Sequence, residues 1–213
     1  MKLLRINMET GKTEFESLRE DWLPIGGSAL LARIMNREVP PAADPLGPEN
    51  AFIVAVGPLA GTGAPQFGRI SVGAKSPLTL GIKEANAGGP AGQFLDRLGI
   101  RAIIVHGSPP DGRLSGLSIS EDRAALIPAE EYRGLKNYAL AGRLRKKYGE
   151  KAAIISTGPA GEQKYRGASV SLTGSVRGPL AERRPGRTRG RHGLQGTQGH
   201  YHRLRKNRSG GDG

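Results

Sequence analysis

Polar and apolar positions alternate over residues 3–7 and again over residues 12–16. Glu9-Thr10-Gly11 between them has turn chemistry, so the chain is predicted to open on a β-hairpin. Over residues 26–38 the period lengthens: Leu30, Leu31, Ile34 and Met35 share one helical face, and Pro40-Pro41 ends the run. Residues 51–56 are apolar without interruption and of strand length, the pattern of a strand buried on both faces. Short strands are predicted over residues 69–74 and 78–82, joined at Ser76-Pro77, followed by a short helix through Phe94, Leu95 and Leu98. Residues 102–105 again read as a buried strand and residues 114–119 alternate. Residues 135–148 form an amphipathic helix with Leu140, Leu144 and Tyr148 in one stack, and a last buried strand falls at residues 152–156. Strands outnumber helices by more than two to one, which predicts an α+β fold rather than a doubly wound α/β sheet.

Three stretches dense in Gly and Pro follow strands. They are residues 57–68, then Asn86-Ala87-Gly88-Gly89-Pro90-Ala91-Gly92, then Thr157-Gly158-Pro159-Ala160-Gly161-Glu162. A tight turn explains any one of them. Three together place backbone amides, unshielded by Cβ, where an anion or a polar heterocycle can approach. None has the spacing of a P-loop or a dinucleotide fingerprint. Arg69 and Asn86 stand beside these loops. A guanidinium offers a planar fork of donors suited to phosphate, and an Asn amide pairs with a pterin or purine edge through one donor and one acceptor. Taken alone, each is more commonly a surface ion pair or a turn cap.

The charge divides the chain. Of the formal net +13, the segment from Ser175 to Gly213 carries +8, and the first 174 residues carry +5. That segment holds as hydrophobics only Val176, Leu180, Ala181, Leu194, Tyr201 and Leu204, too few to offset ordering entropy of roughly 1–2 kcal/mol per residue. Two parts are therefore expected: a domain over residues 1–174 and a disordered, basic, low-complexity tail over residues 175–213. With no cysteine, this chain offers no disulfide, no thiolate ligand to zinc or an iron–sulfur cluster, and no thiol nucleophile. His200 and His202, two apart with no carboxylate nearby, do not close a metal site. No apolar run reaches the roughly 18 residues of a membrane helix, and Lys2 and Arg5 interrupt any signal-peptide core, so a cytoplasmic location without membrane partners is expected.

The motifs occur in one order: Asp44-Pro45-Leu46-Gly47-Pro48-Glu49-Asn50, Gly57-Pro58-Leu59-Ala60-Gly61-Thr62-Gly63-Ala64-Pro65, Gly68-Arg69, Lys75-Ser76-Pro77-Leu78-Thr79, Asn86-Ala87-Gly88-Gly89 and Gly158-Pro159-Ala160-Gly161-Glu162. Over residues 1–172 this order resembles the N-terminal domain of the tungsten-containing aldehyde ferredoxin oxidoreductase family. The resemblance implies two mixed β-sheets related by an approximate twofold, with few helices, forming a saddle that bears a bis-pterin tungsten or molybdenum cofactor. It implies tungstopterin or molybdopterin bound at Arg69, Asn86 and Gly88, with the metal held by pterin dithiolenes and no catalytic residue or protein metal ligand in this chain. It further implies oxidation of an aldehyde to a carboxylic acid, with electrons passing through a 4Fe-4S cluster to ferredoxin in a longer enzyme that is sometimes a homodimer. The cluster ligands belong to later parts of that enzyme, so this chain alone is expected to be inactive. Where Ser28 stands the family often has an arginine.

Near Leu172 the resemblance ends. The family continues into an Arg-Ala-Ala-Gly-Arg-Gly-Gly type loop, then Gly-Ala-Val-Met-Gly-Ser-Lys and a closing apolar strand, where this chain runs into its basic tail. Codons for Gly190-Arg191-His192-Gly193-Leu194-Gln195, read one base later, permit Ala-Val-Met-Gly-Ser-Lys, and continuing through Leu204 permits an apolar strand. A one-base frame change between about residues 173 and 185 accounts for the tail, and it leaves the domain expected to lack one cofactor loop and one strand. Two rival readings stay open. The Arg/Gly-rich tail fits a nucleic-acid-binding protein, although Tyr201 is its single aromatic for base stacking. The domain also fits a pterin-binding accessory subunit without catalysis.

Overall fold

The computed structural model describes residues 1–64, 67–121 and 123–173, together with the backbone of residues 199–202. The predicted opening hairpin is present as β1 (Lys2–Asn7) and β2 (Thr13–Ser17), antiparallel, with Leu4 opposite Phe15. A 3-10 turn at Glu20–Trp22 leads into α1 (Gly27–Glu38), then β3 (Ala51–Val56), β4 (Ile70–Lys75), β5 (Ile82–Ala87), α2 (Ala91–Arg97) and β6 (Ile100–His106). These form a six-stranded mixed sheet in the order β2-β1-β6-β3-β4-β5, with β6 parallel to β1 and antiparallel to β3.

The second half repeats the plan. β7 (Ser115–Ile119) and β8 (Ala124–Pro128) pair antiparallel, and a 3-10 turn at Glu130–Tyr132 precedes α3 (Asn137–Tyr148). β9 (Ile155–Thr157), α4 (Pro159–Glu162), β10 (Val170–Leu172) and β11 (Gly199–His202) follow. The five-stranded order β10-β9-β11-β7-β8 has β11 parallel to β7 and antiparallel to β9. Each strand after the fold's midpoint thus has its counterpart before it, β7 to β1, β8 to β2, β9 to β3, β10 to β4 and β11 to β6. The helices agree: α1 and α3 are both 12 residues long, and Trp22, Leu30 and Ile34 recur as Tyr132, Leu140 and Leu144 at identical offsets.

Four layers result: α1, the six-stranded sheet, the five-stranded sheet and α3. Strand alternation sends Phe52, Val54 and Val56 of β3 into the central layer with Leu117, Ile119 and Ile155 of the other sheet, while Ala51, Ile53 and Ala55 pack under Leu30, Leu31, Ile34 and Met35 of α1. That is why residues 51–56 are apolar at every position. A smaller cluster of Leu114, Tyr132, Leu140, Leu144 and Ile154 seats α3. Thr13 Oγ1 donates to the Ala124 carbonyl at 3.0 Å and links the hairpins of the two halves.

Several expectations are corrected. Residues 78–82 are not a strand: Ser76 and Gly81 close a turn there, with Leu80 at φ +60°, and the strand is β5, which absorbs Asn86 and Ala87. Lys83, Glu84 and Asn86, interleaved with only small apolar side chains after Ile82, concealed it. The predicted strand at 152–156 begins only at Ile155, although Ala152, Ala153 and Ile154 are buried. The third glycine loop contains α4, with Pro159 at its first turn, a position that needs no N–H. β8 and β10 were not predicted; β10 has only three residues. The strand expected to be missing has its place taken by the β11 backbone, which pairs on both sides. The remainder of the tail, and the expected boundary at residue 174, lie outside the described residues.

Ionic contacts tie elements at their ends. Arg5 of β1 grips Glu38 of α1 through two 2.8 Å hydrogen bonds and also meets Glu16 of β2. Glu130 accepts from Arg133 and from the Leu114 amide at 2.6 Å, and these donors, Arg133 first, lower its carboxyl from 4.5 to about 2. A lowered carboxyl pKa adds stability above the ordinary value, which is lost as pH falls through the folded one. Acid unfolding of Glu130→Gln, followed by circular dichroism, should therefore lack the pH dependence that wild type shows between about 4.5 and 2 from this group.

Candidate cofactor site

Register brings the separated motifs to one end of the six-stranded sheet. Val56 pairs with Ile70, and Ile70 with Ala87, so the next row along the sheet is Gly57, Arg69 and Gly88. A Cβ on Gly88 would lie 3.9 Å from Arg69 Nη1 with nothing else near it. By alternation Arg69 shares a face with Ser71 and Gly73, and this is the face α1 covers, since a Cβ on Gly73 would meet Leu31 at 2.8 Å. The helix stops short of Arg69. Its first residue, Gly27, sits over Ser71, and a Cβ there would be 3.4 Å from Ser71 Oγ.

Close backbone approach explains Gly26, the residue capping α1. A Cβ on it would fall 2.5 Å from the Val56 carbonyl oxygen and 2.9 Å from Pro58, so the helix N-terminus abuts the start of the 57–63 loop only because the side chain is absent. The positive end of α1, the Gly57 loop and Arg69 therefore converge on one exposed edge.

Of the residues singled out from sequence, Arg69 and Gly88 are neighbours at this edge. Arg69 is exposed and makes no hydrogen bond or ion pair with the described residues. Asn86 lies two rows behind, opposite Ser71. Its amide is engaged: Nδ2 donates to Glu84 at 2.6 Å and Oδ1 accepts from Ser71 Oγ at 3.4 Å. A ligand edge would have to displace Glu84 to use that amide. His106 ends β6 beside Arg5, and burial lowers its pKa. Arg166 spans the halves by donating to the Pro77 carbonyl, with Nε at 3.1 Å.

Two features escaped the sequence reading. Arg101, 5 % exposed, donates from Nη1 to the Gly57 carbonyl at 2.8 Å, and a charge flanked by Ile100 and Ala102 was the available signal. Asn50 and Lys75 stitch the 41–50 loop to β4. Asn50 Nδ2 donates to the Pro45 and Lys75 carbonyls, its Oδ1 accepts from the Lys75 amide, and Lys75 Nζ donates to the Pro41 and Ala43 carbonyls. Both residues stand within the ordered motifs, whose arrangement gave no hint of contact.

The second half offers a partial copy of the edge. Gly158 and Pro159 end β9 as Gly57 and Pro58 end β3, and Ser171 of β10 corresponds to Ser71. In place of Gly27, α3 begins with Asn137, whose Nδ2 donates to Ser171 Oγ at 2.7 Å and whose Oδ1 lies 3.0 Å from where a Gly158 Cβ would be. The side chain fills the gap that Gly27 leaves open in the first half.

A donor-rich edge with a free guanidinium suits an anionic group. Among the described residues no group of three His, Cys, Asp or Glu side chains is placed to hold a metal ion. Among the described residues, too, no helix is long and apolar enough to cross a membrane.

The family described as aldehyde ferredoxin oxidoreductase, N-terminal domain, matches residues 3–203, a span that includes β11. The tungsten-containing aldehyde ferredoxin oxidoreductase of Pyrococcus furiosus is 36% identical over 178 residues, 81% of this chain and 29% of that protein. An aliphatic sulfonate oxidoreductase, WOR-like subunit, from the same organism is 28% identical over 79% of this chain and 29% of its own length. Among solved structures, the active-site complex BamBC of benzoyl coenzyme A reductase with 1,5-dienoyl-CoA superposes with a TM-score of 0.76 at 26% identity, covering 94% of this chain and 30% of that one. This chain spans about 29% of the length of the curated relatives it matches. With the family matched over nearly all of its length, and with the paired sheets and glycine edge the motifs required, the chain belongs to the aldehyde ferredoxin oxidoreductase N-terminal domain family.

Proposed function

We propose that this chain is the cofactor-seating domain of a tungsten enzyme and that Arg69, Gly88 and the backbone at Asn86 hold an anionic pterin cofactor at the edge described above. The observation that carries the reading is Arg69, an exposed guanidinium without a described partner, set between Gly57 and Gly88 beyond the N-terminus of α1. A guanidinium fork and a helix N-terminus both favour phosphate oxygens, and a glycine row lets a flat heterocycle lie close to the backbone.

Tungstopterin is the favoured form, because the relatives at 36% identity are tungsten-containing enzymes. When bound, such a group supplies two-electron redox chemistry, and the protein supplies binding, orientation and electrostatics. Arg69 neutralises charge, the glycines set the distance of approach, and the layers beneath keep the edge rigid. The complete enzyme would oxidise an aldehyde to a carboxylic acid and pass electrons to ferredoxin through an iron–sulfur cluster, with its cluster ligands outside this cysteine-free chain. The relatives' names differ in substrate, aldehyde, aliphatic sulfonate and a coenzyme A thioester, while sharing this domain. Substrate choice therefore belongs to parts beyond it.

Production of the chain in cells supplied with tungstate, followed by metal analysis and fluorescence of the oxidised pterin, tests the reading. Tungsten and pterin retained with the chain are expected. Retention of RNA alone, released by raising salt, would replace it with the nucleic-acid reading of the tail.

A further inference from the structure

We propose that Arg101 is a positioning residue, which keeps the 57–61 loop turned towards an anion and places a buried positive charge beneath it. For the identity of that anion the proposal rests on the cofactor reading above. Three observations meet at the loop. First, the Gly57 carbonyl accepts two hydrogen bonds, from the Ala60 amide at 3.1 Å and from Arg101 Nη1 at 2.8 Å. The following residue is Pro58, which has no N–H, so the orientation of this peptide is governed by what its carbonyl accepts. The carbonyl is thereby held inward, towards β6, and not on the outer surface of the loop.

Second, the far end of the loop is clamped. Gly61 has φ +77°, and a Cβ on it would lie 2.0 Å from Asp96 Oδ2 of α2, so the backbone rests directly on that carboxylate. Third, Arg101 is a buried cation with no carboxylate bonded to it among the described residues. Its Nε is buried with no hydrogen-bond partner, and among the described residues no carboxylate lies within ion-pair distance. Asp96 acts on it only through space, and burial lowers its pKa. Lys75, also buried, differs in having its ammonium taken up by two carbonyls.

A buried charge whose nearest carboxylate acts only through space carries a cost that a neutral side chain would avoid. The arrangement becomes favourable once an anion sits above the loop. By register Arg101 follows Ala102 to the position opposite Val56, on the face away from α1, whereas Arg69 lies on the α1 face. The two guanidinium groups therefore bracket the loop from opposite sides of the sheet, Arg69 exposed to solvent and Arg101 buried below.

The test compares the whole chain with Arg101→Met and Arg101→Lys. For each, pterin per chain is measured after production with tungstate, then the thermal midpoint of the cofactor-free chain with and without inorganic pyrophosphate. Arg101→Met is expected to melt no lower than wild type without ligand, to retain about tenfold less pterin, and to lose most of the midpoint rise caused by pyrophosphate. Arg101→Lys is expected to regain much of both, because charge rather than packing is restored. The proposal is overturned if Arg101→Met loses melting temperature and pterin together with no rescue by lysine, which is the mark of a packing role. It is overturned equally if Arg101→Met keeps wild-type pterin and pyrophosphate response. Should no chain retain pterin while the pyrophosphate response still falls in Arg101→Met and returns in Arg101→Lys, the anion role of Arg101 stands and the pterin reading fails.

Discussion

Arg69→Ala is expected to reduce retained pterin and tungsten by one to two orders of magnitude while leaving the melting temperature of the protein unchanged. A charge-assisted hydrogen bond to an anion contributes about 1.5–3 kcal/mol, which converts to roughly ten- to hundredfold in affinity. The folded chain has no such stake in the side chain. Arg69 is exposed and has no partner among the described residues, so its removal belongs with surface substitutions, whose effects fall within about 0.5 kcal/mol. Affinity and stability should therefore separate cleanly at this position. Pterin released per chain is the measurement, and wild-type content in Arg69→Ala would remove the residue from the site.

Asn50→Ala should show the opposite profile. Asn50 is 9 % exposed and makes three hydrogen bonds of 2.9 to 3.1 Å with backbone groups of Pro45 and Lys75. Truncation leaves the Lys75 amide and two carbonyls without that partner, at about 1–3 kcal/mol for each group that stays buried and unpaired. A loss on the order of 3 kcal/mol is expected, or a melting point about 10 °C lower for a chain of this size. Asn50→Asp keeps the acceptor for the Lys75 amide but loses both donors, and should fall between alanine and wild type. Chemical denaturation measures the difference, and a loss below about 1 kcal/mol for Asn50→Ala would mean that the 41–50 loop is held by something else.

Much of the architecture was legible because burial on two faces writes itself into sequence. The uninterrupted apolar run at 51–56 marked β3 to the residue, and the Leu30, Leu31, Ile34 and Met35 stripe marked the buried side of α1. The edge strand β5 was not legible. Its pattern of partly exposed residues carries Lys83, Glu84 and Asn86, and without a covered face there is no apolar alternation to read. Strand β10, three residues long, is too short to show a period.

The site divided along similar lines. Motif order put forward Arg69, Asn86 and Gly88, and pairing of β4 with β5 sets Arg69 and Gly88 side by side. The Asn86 amide was expected to pair with a pterin or purine edge, yet it is engaged by Glu84 and, across the strand pairing, by Ser71. Arg101 was hidden by a boundary: with the strand begun at Ala102, the charge fell outside it, and only pairing with β3 brings it to Gly57.

The strand orders also dictate a sequence of assembly. In each sheet the strand that arrives last along the chain, β6 in the first half and β11 in the second, is not at the rim but in the middle, between the opening hairpin and the strands that follow the helix. During synthesis, β1–β2 and β3–β4 must therefore wait with unsatisfied inner edges until residue 106 has emerged, and their counterparts wait until residue 202. Unpaired edges are what neighbouring chains aggregate upon. A ribosome pausing before either closing strand would expose two such edges at once, and the demand on chaperones should peak there rather than at the end of the helices.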